Sequence, residues 1–107
     1  SLEPEAIVIM CAVPGEFDAE SLAQHLVEES LAACVQLGER VTTVYRWKGL
    51  TETGSERLMF IKTRRALFTA VEAAIRSRHP YDVPEILALP VVEGHAPYLA
   101  WISQTTT

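Results

Sequence analysis

Apolar residues fill the stretch from Ala6 to Val13 without interruption, and Pro14-Gly15 stops it. A run of that length between turn residues predicts a strand buried on both faces. Past Glu16 and Asp18, two acids suited to the positive end of a helix, the period changes. Ala19, Leu22, Ala23, Leu26 and Val27 recur at helical spacing, with Glu20, Gln24 and Glu28 opposite, and the helix is expected to end near Ser30. From Ala33 to about Lys48 the chain is rich in Val, Thr, Tyr and Trp and reads as one long extended arm. Gly49 to Ser55 turns polar, and a second extended arm from Glu56 to Thr63 completes a hairpin. Leu67, Phe68, Val71, Ala74, Ile75 and Arg78 outline a second amphipathic helix, stopped by Pro80. Glu85 to Val91 is a fourth strand. Pro97 stands where helices begin, with Tyr98, Leu99, Trp101 and Ile102 as its apolar face. Thr105-Thr106-Thr107 reads as a frayed tail.

The order β-α-β-β-α-β-α, with right-handed crossovers, belongs to the α+β class. It predicts a ferredoxin-like βαββαβ sandwich over residues 1–107 as one domain, with an extra C-terminal helix and a long hairpin between the second and third strands. Strands one and three are then central, and two and four are edges. At ~3.3 Å per residue the first hairpin arm reaches roughly 50 Å, where an ordinary strand has about five or six residues. An edge that long, carrying Val44, Tyr45 and Trp47, would invite aggregation on a monomer, so other copies of the chain are expected to cover it.

Composition narrows the function. Of the 107 residues 49% are hydrophobic, yet none of the apolar runs approaches the ~18–20 residues that cross a bilayer, so no membrane partner is expected. The opening Ser1-Leu2-Glu3-Pro4-Glu5 lacks the basic start of a secretion leader. Nine basic against fourteen acidic residues, a net charge of −5, argues against nucleic acid. Lys62-Thr63-Arg64-Arg65 reads as a solvated strand-to-helix junction. Two cysteines, without Cys-x-x-Cys or zinc-ribbon spacing, fit a reducing, cytoplasmic setting. No Walker motif, nucleophile elbow or metalloprotease helix is present, and the acidic loop Pro14-Gly15-Glu16 lacks the arginine that phosphate hydrolysis would use, so an enzyme is not expected.

The run His79-Pro80-Tyr81-Asp82-Val83-Pro84-Glu85-Ile86-Leu87-Ala88-Leu89-Pro90 concentrates the chemistry. Its three prolines restrict the backbone, holding a histidine, a tyrosine and two carboxylates at one strand entrance. Together with Leu31-Ala32-Ala33-Cys34-Val35, Tyr45-Arg46-Trp47-Lys48-Gly49, Ile61-Lys62-Thr63 and the ending Leu89-Pro90-Val91, Gly94 and Tyr98-Leu99-Ala100-Trp101, this run resembles the CutA divalent-cation tolerance family. The resemblance covers nearly the whole chain. It implies a ferredoxin-like protomer in a homotrimer joined through long hairpins, similar in plan to PII signalling proteins, and a link to tolerance of copper and other divalent metals. Gln36, Thr51 and His95 depart from the usual family residues without touching the fold. Arg78 departs where some members carry a second histidine.

The topology brings Cys11, late in the first strand, and His79, just before the fourth, to one pole of the sheet, and the hairpin tip projects there too. A metal site built from Cys11 and His79, completed by Glu85, Asp82 or a neighbouring subunit, is the functional expectation, since copper and zinc favour thiolate and imidazole. The family resemblance implies the same pair as copper ligands. Against it stands a packing cysteine and a helix-terminal histidine held as a cation. Cys34 sits at the opposite pole and reads as packing, His25 as solvated, and His95 as an unassigned loop residue. Tyr45, Trp47 and Trp101 suit subunit contacts or the walls of a small-molecule cleft. Besides metal binding, a PII-like sensor of a small ligand and a structural, anchoring trimer are the competing functions.

Overall fold

A computed structural model describes residues 5–106. Strand β1 (Ala6–Pro14) leads to helix α1 (Ala19–Glu28), then β2 (Cys34–Trp47) and β3 (Leu50–Arg64). After a 3-10 turn over Arg65–Leu67 come α2 (Phe68–Arg76), β4 (Ile86–Pro90) and α3 (Ala96–Thr105). The four strands form one antiparallel sheet in the order β2-β3-β1-β4. The central and edge places are therefore those expected for the ferredoxin-like plan. No helix among the described residues is long and apolar enough to cross a membrane.

The two-residue period of the strands decides what the core contains. Ile7, Ile9, Cys11 and Val13 of β1 and Met59, Ile61 and Thr63 of β3 are all buried, and Leu22, Leu26, Val71 and Ile75 of α1 and α2 close over them. Asp18 caps α1, its Oδ1 accepting the Ser21 N–H at 3.1 Å. Thr63, the one buried polar residue in that row, donates its hydroxyl to the Leu31 carbonyl at 2.6 Å.

Two boundaries differ from the sequence expectation. The second hairpin arm begins at Leu50, not Glu56, because Lys48 (φ 51°) and Gly49 (φ 82°) alone make the turn, as in a type I′ hairpin. The polar residues 51–55 then pair across the ribbon, from Arg46 with Thr51 to Thr42 with Ser55. Their polarity reflects a ribbon exposed on both sides, not a loop. The C-terminal threonines also differ. Thr105 ends α3, and Thr106 is buried: its hydroxyl donates to Ile102 O at 2.8 Å and accepts from Arg64 Nε at 2.9 Å. Thr107 lies outside the described residues.

One irregularity positions the site. Between Leu37, opposite Met59, and Arg40, opposite Arg57, β2 advances three residues while β3 advances two. This is a β-bulge. Before it Val35 and Leu37 pack toward the core; beyond it the odd-numbered residues Thr43, Tyr45 and Trp47 come to the side of the ribbon that carries Glu56. The Gly38 carbonyl at the bulge accepts Arg57 Nε at 3.1 Å.

Candidate functional site

Cys11 and His79 do meet at the hairpin pole, through one backbone oxygen. The Ala12 carbonyl accepts the Nε2–H of His79 at 2.7 Å and faces the Cys11 thiol at 4.0 Å. The strand runs past this point, since β1 continues to Pro14 opposite Glu56, and Cys11 pairs with Ile86 at the start of β4. His79 has its second nitrogen occupied as well: Nδ1 accepts the Tyr81 N–H at 3.1 Å. Two such partners require the neutral ring with its proton on Nε2. The histidine is therefore not the helix-terminal cation that its place after α2 suggests. Its ring lies against Phe17 and Tyr81, with centroids at 6.1 and 4.7 Å.

Burial pushes the Cys11 thiol up to about 12, and the negative charges of Glu85 and Glu56 add to the shift. The donor types suit copper, but in this arrangement neither is free. The thiol keeps its proton, and both imidazole nitrogens are in hydrogen bonds. Among the described residues no three His, Cys, Asp or Glu side chains come together at metal-ligand spacing.

The raised thiol has a stability consequence with a definite sign. The folded state holds this proton more tightly than the unfolded chain, whose thiol titrates near its ordinary value of 9.0. That contribution is complete below pH 9 and is lost as pH rises toward 12. Relative to Cys11→Ala, the unmodified chain should lose roughly 1.4 kcal/mol per pH unit across that window. Urea unfolding of both proteins on either side of pH 9 checks it; parallel pH profiles would refute it.

In front of this pair the hairpin and the proline-bounded loop enclose a cleft of about 360 Å³. Thr43, Tyr45, Trp47 and Glu56 come from the ribbon, and Tyr81, Asp82, Val83 and Glu85 from the loop. Tyr81 ties the walls together, its hydroxyl donating to Glu56 Oε2 at 3.2 Å. Burial and then the charge and hydrogen bond of Glu56 raise its phenol above the usual range. Of the aromatics considered from sequence, Tyr45 and Trp47 line the cleft, whereas Trp101 packs on Tyr98 at 5.4 Å.

The remaining candidates do other things. Cys34 is half-buried, and neither cysteine is in a disulfide. His95 precedes α3 and gives its carbonyl to the N–H groups of Tyr98 and Leu99. The basic junction is engaged internally: Lys62 Nζ donates to Gln36 Oε1 at 2.7 Å, and Arg64 reaches Glu5 as well as Thr106. The cleft as a unit was not legible in the sequence, because its two walls are separated by 25 residues at their nearest, Glu56 to Tyr81, and a bulge turns one of them.

Known proteins share this fold. The family model described as CutA1 divalent ion tolerance protein matches residues 7–105. The chain belongs to the CutA1 family. It is 41% identical over 99 residues to the divalent-cation tolerance protein CutA of Thermus thermophilus, covering 92% of this chain and 96% of that protein. It is 48% identical over 93 residues to Protein CutA of Homo sapiens, covering 87% of this chain but 52% of the human protein. The chain thus spans about half the length of the human relative. The crystal structure of CutA1 from Oryza sativa superposes with a TM-score of 0.92 at 37% identity, covering 100% of this chain and 98% of that one. The CutA1 fold holds from the first strand to the last helix.

Proposed function

We propose that this CutA1 chain acts as a homotrimer in the cytoplasm, binding copper and other divalent ions in metal tolerance without catalysing a reaction. The hairpin carries the assembly reading. Val44 and Leu50 are exposed along it outside the cleft, and Leu87 and Leu89 are exposed on the other edge strand. Apolar edges of that extent call for cover by sister subunits.

The family's name supports the ion reading, and the donor chemistry at the pole supports copper. Cys11 and His79 would hold the ion, with Glu85 the carboxylate that acts most strongly on the thiol. Copper there supplies a strong bond to thiolate in place of a buried proton. The chain's own part is to release the Cys11 proton and free one nitrogen of His79 from Ala12 or Tyr81. Since one proton leaves per ion bound, copper affinity should rise about tenfold per pH unit through neutral pH. Competition titration against a chelator measures this. Cys11→Ala should remove both the tight binding and its pH dependence; affinity unchanged in Cys11→Ala and in Cys11→Ala/His79→Gln would dismiss the pair as ligands.

A further inference from the structure

The cleft has a chemistry that copper at Cys11 and His79 leaves unused. We propose that it binds a small organic cation, an ammonium group carried on an apolar body, with Trp47 and Tyr45 against the body and Glu56, Asp82 and Glu85 around the charge. The inference is independent of the thiol–imidazole pair.

Three observations carry it. The walls combine aromatic faces with carboxylates, and none of the lining residues is a Lys or Arg. Strand alternation directs one neighbouring cation away: Arg46 lies between Tyr45 and Trp47 on the opposite side of β2, where its Nη1 donates to Gly49 O at 3.3 Å. An anion would therefore meet three carboxylates and no lining cation. A bare metal ion is poorly served too, because the described residues offer no three acidic or imidazole groups at ligand spacing. The carboxylates give a diffuse negative field, which suits a broad cation better than a compact one. Aromatic faces add to that preference, with indole the strongest of them.

The cleft is also preorganised. Tyr81 is fixed at both ends, by the His79 ring at its N–H and by Glu56 at its hydroxyl. Its loop is held between Pro80 and Pro84. A volume of about 360 Å³ lies within the range of small-molecule sites. A rigid, charged, aromatic cavity of this size loses little order when a ligand enters.

Benzylamine, benzyl alcohol and benzoate separate charge from shape. In a Trp101→Phe background the fluorescence of Trp47, the remaining tryptophan of the two in the chain, reports on the cleft, with calorimetry as the second readout. Protonated benzylamine should bind about tenfold or more tighter than benzyl alcohol, a difference of about 1.4 kcal/mol, and benzoate should not compete. Glu56→Gln/Asp82→Asn/Glu85→Gln should erase the advantage of the amine while leaving the weak binding of the alcohol. Cys11→Ala should leave amine binding unchanged even if it abolishes copper binding, so the two proposals fail separately. Equal affinity for amine and alcohol would overturn the inference. So would an amine preference that survives loss of all three carboxylates, or a cleft that takes up none of the probes because a sister subunit fills it.

Discussion

Leu87→Asp/Leu89→Asp should convert the proposed trimer to a species at the protomer mass of 11.9 kDa, with its secondary structure retained. Both leucines are about half exposed in the protomer, at 54% and 45%. They pair with Met10 and Val8 across the β1–β4 ladder and so share one face of the sheet, opposite the Ile7–Ile9–Cys11 row that packs on α1 and α2. In the free protomer two aspartates at such positions stay hydrated and cost little. In a packed interface each carboxylate loses water without gaining a partner, a penalty of several kcal/mol apiece. Assembly should weaken by a factor of roughly a thousand or more, since 1.4 kcal/mol is about tenfold. Light scattering with circular dichroism on the same samples reads both mass and fold. An unmodified chain that is already monomeric, or a double variant that keeps the oligomer mass, would remove the trimer from the proposal.

His79→Ala should be the most damaging single change at the pole, lowering unfolding stability by roughly 3–5 kcal/mol. The ring is 8% exposed and serves two backbone groups, the Ala12 carbonyl and the Tyr81 N–H. Truncation leaves both without their partner and removes the surface on which Phe17 and Tyr81 pack. Orphaning buried polar groups costs more than the hydrogen bonds themselves contributed. His79→Gln, which keeps a donor but not the ring, should recover part of the loss. Denaturant unfolding at fixed protomer concentration is the measurement, because the proposed assembly would make stability concentration-dependent. A loss below about 1 kcal/mol would mean that water or a shifted loop replaces the ring without penalty.

Much of this architecture could be read from the chain. Continuous apolar character at Ala6–Val13 and the helical period through Leu22 and Leu26 gave their elements within a residue or two, because burial there is complete and the pattern follows it. The hairpin's second arm was read short because residues 51–55 are polar on both sides, and alternation is silent where neither face is buried. Thr106 was misjudged since its order comes from Arg64, far away in sequence. At the site, the nearness of Cys11 and His79 followed from topology. That both lean on Ala12 O did not, because a side chain bonding to backbone leaves no mark on composition. The cleft was hidden for a related reason: the proline-rich run announced only one of its walls.

The extra residue between Leu37 and Arg40 is a local kink in β2, while β3 pairs with β1 without a break from Arg64 to Glu56. Deleting one position at Gly38 or Glu39 would leave Arg40 opposite Arg57 and keep Tyr45 and Trp47 on the Glu56 side, removing only the bend and added twist of the bulge. Removing a cross-strand pair nearer the turn would only shorten the arms. The bulge therefore sets the angle at which the ribbon leaves the sheet, and with it the gap between Trp47 and the loop that carries Tyr81.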